Sequence, residues 1–254
     1  MMLVRTFIAV CIALLPSPLK VLIYRHLFGY RIGQKTTIGC SLFVGVAGCD
    51  IGNDVTIGHF NVFFSVEQVR VGDHGRIGWL NLFRGGKLVE LGAYTTILRR
   101  NVMNSIIDPD AANPTTPELI LGEGVVITTG HWLDFTDQIQ VGPHTIIGGR
   151  NSSLWTHNRD RTRPILLGHH CYLGSEIRIA PGVQLAACSI VALGSVLLKS
   201  VAQTGCVISG NPAIMSRPLE KRDWTLISRK TRRDIPDELA ATLLSEPQPS
   251  LSEP

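Results

Sequence analysis

An apolar residue followed by glycine recurs along this chain at Ile51-Gly52, Val71-Gly72, Leu91-Gly92, Leu121-Gly122, Val141-Gly142 and Leu167-Gly168. The first three pairs are 20 residues apart, as are Leu121 and Val141, and six residues after each apolar member stands another: Ile57, Ile77, Ile97, Ile127, Ile147 and Leu173. With 25 glycines in 254 residues, six aligned glycines arise by chance about once in a million per register. Apolar residues six apart match neither the helical period nor the alternation of an ordinary strand. They match a triangular coil in which each short side turns one apolar residue inward. A lone coil cannot bury that residue, so the core comes from stacking. Leu167, Leu173, Ile179, Leu185, Val191 and Leu197 then recur every six residues with nothing added, which makes two plain coils. The spacing predicts about seven to eight coils in a parallel β-helix, with Ile51, Val71, Leu91, Leu121, Val141 and Leu167 in one inward column.

A second register lies ten residues after each first apolar position, at Asn61, Asn81, Asn101, His131 and Asn151. Stacked amides at the strand spacing of about 4.8 Å hydrogen-bond from coil to coil, and asparagine tolerates left-handed backbone better than most residues. These positions are therefore read as a structural ladder. The period breaks twice. Ten surplus residues fall between Leu91 and Leu121, within the Pro/Asn-rich run 108–117, and six fall between Val141 and Leu167, around Trp155-Thr-His-Asn-Arg-Asp-Arg-Thr-Arg-Pro164. Insertions in solenoids become surface loops and often shape a binding face.

The chain ends differ from the repeats. Residues 1–29 form an apolar segment in which Phe7–Leu15 and Leu19–Phe28 are interrupted by Pro16 and Pro18. Neither run approaches the ~20 apolar residues of a spanning helix. Residues 3–29 are expected to form two short helices. They either shield the open edge of the first coil or make a shallow contact with a membrane surface. The repeat domain covers 30–219. The tail, 220–254, is charged and partly helical to Leu244. It carries a basic cluster at Arg229, Lys230, Arg232 and Arg233, and 246–254 is expected to be disordered. A hydrophobic content of 44% and a charged content of 17% are globular values. A net charge of +4 is too small to point to nucleic acid. Six cysteines without a C-x-x-C pair suit small buried hydrophobes in a reducing compartment.

Two of the eight histidines stand apart. His157 opens the second insertion beside Trp155 and Asn158, and His131 replaces an amide in the ladder within Thr128-Thr-Gly-His-Trp-Leu-Asp134. Departures from a local rule cluster at functional sites. A neutral imidazole in a surface loop can take a proton from a bound hydroxyl. His157 is therefore read as a catalytic residue, with His131 a weaker candidate.

The Ile-Gly repeats, Ser153-Leu-Trp-Thr-His-Asn158, Ile190-Val-Ala-Leu-Gly-Ser-Val-Leu-Leu-Lys199 and Gly210-Asn-Pro-Ala213 together resemble the hexapeptide-repeat acyltransferases. The resemblance is nearest to the polysaccharide-biosynthesis acetyltransferases of the colanic-acid type and covers residues 30 to about 219. It implies a left-handed coil, against the usual right-handed rule for parallel crossovers, and a homotrimer with sites between subunits. It also implies acetyl-coenzyme A as donor, a saccharide, nucleotide-sugar or lipid-linked sugar as acceptor, and no metal. His157 matches the family's general base. The coenzyme A contacts fall on Ser175, Leu193, Gly194, Lys199 and Arg217. His131, Asp134, Trp155 and Asn158 are left to bind the acceptor or support the base. Leu198 departs from the family's threonine, and the 101–120 loop and the tail are atypical. The implied setting is cytoplasmic, at most peripheral to the membrane's inner face. Two rivals stand beside this reading. One is a γ-carbonic-anhydrase-like enzyme with three histidines (His131, His157 and His169 or His170) around a zinc-like ion. The other is a noncatalytic structural solenoid.

Overall fold

The computed structural model of the chain describes residues 2–107 and 109–227. It is a left-handed parallel β-helix whose strands stack on three faces, here A, B and C, with eight complete coils and the beginning of a ninth. The fifth coil shows the unit: Glu118–Leu121 on face A, Val126–Thr129 on face B and Trp132–Asp134 on face C. The expected column is present. Ile51, Val71, Leu91, Leu121, Val141 and Leu167 pair in register along face A, and none is more than 4% exposed. Ile57, Ile77, Ile97, Ile127, Ile147 and Leu173 form the face B column. On face C the aromatic rings of Phe43, Phe63 and Phe83 stack with centroids 4.6 Å apart, and Met103, Leu133 and Leu154 continue the column. Each such side chain removed from water contributes roughly 1.5–3 kcal/mol.

The ladder exists, but one of its members differs from the sequence-based expectation. The side chain of each member accepts the backbone N–H of the next coil: Asn61 N–H to Ser41 Oγ (3.0 Å), Asn81 N–H to Asn61 Oδ1 (3.0 Å), Asn101 N–H to Asn81 Oδ1 (3.0 Å) and His131 N–H to Asn101 Oδ1 (2.9 Å). The next member is Ser152 and not Asn151. Its N–H reaches His131 Nδ1 at 3.2 Å, and its own Oγ accepts from Ile177 N–H. A bulge in Ile146–Arg150 shifts the register by one residue, pairing Thr129 with Arg150 after Ile127 with Ile147, so every later position moves on by one. The left-handed backbone also sits one residue earlier than expected. Phe60, Leu80 and Arg100 have φ of 59°, 60° and 57°, each just before its asparagine, and Asn151 occupies the same corner at 59°. The asparagines serve the fold by satisfying corner N–H groups that the strands leave unpaired.

Two helices cover the first coil: α1 (Met2–Ala13) and α2 (Ser17–Leu27). Their polar side chains satisfy its open edge. Lys20 Nζ donates to the carbonyls of Ile38 (3.2 Å) and Gly39 (2.6 Å), Arg25 Nε donates to Ile32 O (3.0 Å), and Ser17 Oγ accepts from Ile38 N–H (2.9 Å). At the other end, Cys206–Gly210 extends face B and turns back as Ala213–Pro218, antiparallel to it. A short helix, α3 (Lys221–Ile227), follows. The basic cluster 229–233, the expected helix to Leu244 and the terminal segment 246–254 lie outside the described residues.

Candidate active site

The two insertions leave the same edge of the prism, the corner between faces C and A. The first runs from the end of Val102–Asn104 to Glu118–Leu121, and the second from the end of Ser153–Trp155 to Ile165–Leu167. They are tied to each other. Asn113 Nδ2 donates to Thr162 Oγ1 (2.9 Å), Asn113 Oδ1 accepts from Thr162 N–H (3.0 Å), and Ala112 N–H reaches Asp160 O (2.8 Å). Asn158 shapes the second loop from within, its Oδ1 accepting from the N–H groups of Asp160 (3.2 Å) and Arg161 (3.0 Å).

His157 stands at the root of this loop, in an isolated bridge with Thr162. Its Nδ1 lies 3.0 Å from Asp134 Oδ1. The carboxylate is 2% exposed and the imidazole 23%. An ionised carboxylate only accepts, so the shared proton belongs to Nδ1, and Nε2 is left with its lone pair. Asp134 is itself held. Its Oδ1 also accepts from Thr136 N–H (3.2 Å), while the buried Thr156 hydroxyl donates to its carbonyl oxygen (2.8 Å) and accepts from Asp137 N–H (2.9 Å). Trp155 packs edge-on to His157, with centroids 6.4 Å apart, and stacks at 5.9 Å on Trp132 of the preceding coil. Both indoles are about 40% exposed, which leaves an aromatic shelf beside the imidazole. A buried acid, an oriented imidazole with one free nitrogen and an adjacent platform form the constellation of a general base.

The other sequence-derived residues are distributed as follows. His131 is a ladder member and is not placed to touch an acceptor. It is 1% exposed, Nδ1 accepts from Ser152 N–H (3.2 Å) and Nε2 faces Thr128 Oγ1 at 2.9 Å. Asn158 acts on the loop and not on the ring. Ser175 and Gly194 stack on one corner, between faces B and C, where Gly194 N–H donates to Ser175 O (3.0 Å). Leu193 is 72% exposed there, and nothing lies within 4 Å of where a Cβ on Gly194 would sit. The backbone is therefore open along this ledge. Lys199 is exposed at the C–A corner, two coils beyond the His157 loop by the pairing of Leu154, Ile179 and Leu197. Arg217 is engaged: both its terminal nitrogens bond the Asp223 carboxylate, one of them at 3.1 Å. The three histidines that a metal-dependent reading needs do not converge, and among the described residues no three His, Cys, Asp or Glu side chains are grouped to hold a metal.

His131 also gives the fold an acid sensitivity. Burial pushes its imidazole down from 6.5 to about 4, and protonation would set an Nδ1–H against the Ser152 N–H. The unfolded chain therefore binds a proton that the folded chain refuses between these two values. Stability is complete above about 6.5 and falls as pH drops toward about 4, by about 3 kcal/mol from this residue. Burial lowers His170 to about 4 as well, so the wild type is expected to lose stability steeply in this window. His131→Asn restores the amide of the other coils and should remove about 3 kcal/mol of that loss. Urea unfolding at pH 7 and pH 4.5 measures it; equal pH dependence in the two proteins would refute the assignment.

Hexapeptide-repeat β-helix is the class that the coils, the ladder and the His-bearing loop define. Within it, the sequence is similar to acetyltransferases of polysaccharide biosynthesis. A candidate colanic acid biosynthesis acetyltransferase of Escherichia coli (strain K12), WcaF, is 28% identical over 122 residues, covering 45% of this chain and 66% of its own length. A candidate acetyltransferase of Saccharomyces cerevisiae, YJL218W, is 31% identical over 62 residues, 24% of this chain and 31% of its own. The chain thus spans just under two thirds of the first relative and about a third of the second. Among solved structures, a hexapeptide transferase family protein from Anaplasma phagocytophilum overlaps 74% of this chain and 90% of its own, with a TM-score of 0.47 and 17% identity. No family model matches the chain.

Proposed function

We propose that this chain transfers an acetyl or other short acyl group from coenzyme A to a hydroxyl or amine of a saccharide, in the building of a surface polysaccharide. The observation that carries the reading is His157 held through Nδ1 by the buried Asp134 carboxylate, with Nε2 free at the rim of two tethered loops. The acceptor O–H donates to Nε2, and its oxygen attacks the thioester carbon as the proton moves to the ring. Collapse of the tetrahedral adduct breaks the C–S bond, and Nε2–H returns the proton to the departing thiolate. Asp134 keeps the Nδ1–H tautomer in place and offsets the charge of the imidazolium. No metal takes part in these steps.

Lys199, on the same C–A corner as His157, suits the phosphates of coenzyme A; the open Ser175–Gly194 ledge lies on the B–C corner and would serve the pantetheine arm only of a cofactor shared with a neighbouring chain. Arg217 would have to give up Asp223 to help. The Trp132–Trp155 shelf offers apolar area to a sugar ring. Solenoid faces are flat, and small-molecule sites are usually concave. Cyclic association of chains supplies such clefts, and the homotrimer that the family resemblance implies would form one near the His157 loop. Coenzyme A thioesters are multiply charged and do not cross bilayers, which sets the reaction in the cytoplasm.

The test is thiol release from acetyl-coenzyme A against a panel of free saccharides, nucleotide sugars and lipid-linked oligosaccharides, with the product identified by mass and the assembly by sedimentation. Acceptor-dependent release by a trimer is the expected result. Acceptor-independent release across the panel, or full activity of a monomer, contradicts the proposal.

A further inference from the structure

Helix α1 is apolar apart from Arg5 and Thr6, and only one side of it is covered. Ala9, Ile12 and Ala13 are buried against the first coil. On the opposite face stand Val4, Phe7 and Ile8, with Leu14 just past the helix end, 62%, 70%, 44% and 74% exposed. In α2, Lys20 and Tyr24 face the coil, whereas Leu19 and Leu22 are about half exposed. Nine of the 21 exposed large apolar side chains among the described residues lie between residues 4 and 28, so the exposure is concentrated on the cap and is not spread over the prism. A helix face this apolar is normally covered, and contiguous apolar patches of this kind mark interaction surfaces. The surface continues downward, since Leu14 and Pro16 line a cleft with His59 and Trp79 of the neighbouring coils, and the Trp79 indole is 55% exposed.

Charge decides what covers it. The first 49 residues contain Arg5, Lys20, Arg25, Arg31 and Lys35 and no Asp or Glu. Lys20 is buried beneath the cap and Arg31 pairs with Asp50, which leaves Arg5, Arg25 and Lys35 as the exposed cations of this end. Two such caps facing each other would bring Arg5 and Arg25 together, and neither helix carries a carboxylate of its own. An anionic lipid surface complements both properties, apolar face and cationic flank, and interfacial helices carry this pairing of features. Among the described residues no helix is long and apolar enough to cross a membrane, and the 12 residues of α1 have the length of a helix that lies in the interface. We propose that the α1–α2 cap docks the protein on an anionic bilayer surface, with α1 lying in the interface through Val4, Phe7, Ile8 and Leu14. The coil-facing sides of both helices keep their packing, and the prism stands away from the lipid. This inference is independent of the acyl-transfer reading.

The experiment is co-sedimentation of the full chain with vesicles of phosphatidylcholine alone and of phosphatidylcholine mixed with phosphatidylglycerol. Binding at least about tenfold stronger to the mixed vesicles, weakened by salt, is expected from basic residues at a charged surface. Phe7→Asp/Leu14→Asp alters only exposed positions and should reduce that binding at least about tenfold, with circular dichroism and sedimentation of the free protein unchanged. A second reading comes from Cys11, exposed on the outer side of α1: an environment-sensitive fluorophore attached there in a Cys40→Ser background should shift to the blue on mixed vesicles. No pelleting with mixed vesicles, equal pelleting of the double variant, or an unshifted probe would each overturn the proposal. So would self-association that the double variant abolishes while vesicles bind neither protein, which would assign the face to a second copy.

Discussion

His157→Ala should lower kcat for acetyl transfer at least about a hundredfold, with acetyl-coenzyme A affinity and the assembly intact. Loss of a general base typically costs about 10²–10⁴ in rate. In the proposed mechanism Nε2 receives the acceptor proton. The fold should survive the change. The ring is partly exposed, Asp134 retains Thr136 N–H, and the loop keeps its ties through Asn113 and Thr162. A proton-transfer residue acts on the transition state, so kcat and kcat/KM should fall together. Kinetics with saturating donor measure this. A variant that keeps most of its turnover removes His157 from the chemistry.

Asp134→Asn should cost roughly 10²–10⁴ in kcat as well, and for a different reason. In the proposed mechanism Asp134 is a positioning residue: it is buried and reaches the His157 ring. An amide at this site can turn its N–H₂ toward Nδ1, which drives the imidazole proton onto Nε2 and blocks the base. Even with the oxygen turned inward, the negative charge that offsets the imidazolium is gone. A purely structural role would lower stability and leave the tautomer alone. The discriminating readout is therefore ¹⁵N NMR of the His157 ring: an Nδ1–H tautomer in the wild type and a loss of that preference in Asp134→Asn. An unchanged tautomer together with unchanged kcat would show that the pair is incidental.

The fold was legible because its determinants are periodic. Ile51, Val71 and Leu91 repeat at an interval that no helix or hairpin produces, so their common column followed from arithmetic. The insertions were legible as departures from the same arithmetic, and with them the exposed setting of His157. What depended on contacts between coils was harder to read. Asp134 lies 23 positions before His157. It sits in register with Trp155 on the coil beneath, so counting along the repeat brings it near the base, but nothing local to Asp134 states the pairing. The mutual binding of Asn113 and Thr162 joins two loops whose lengths fit no period. His131 looked exceptional because an imidazole replaces an amide, yet its Nδ1 accepts the same kind of backbone N–H as the amide oxygens do. Ser152 was missed because a single extra residue at the Gly148–Gly149 bulge moves the ladder on by one, and the asparagine at 151 fits the expected pattern by residue type alone. Arg217 follows from the family resemblance alone, while its partner Asp223 sits on a helix that the repeat pattern does not cover.

Metal-free base catalysis at the His157–Asp134 pair is the central claim, and the most direct test is acceptor-dependent thiol release by the wild type after exhaustive treatment with a strong chelator. The expected result is an undiminished rate, with one thiol released per acylated acceptor. Abolition of activity by the chelator, with recovery on adding back a divalent metal, would contradict it.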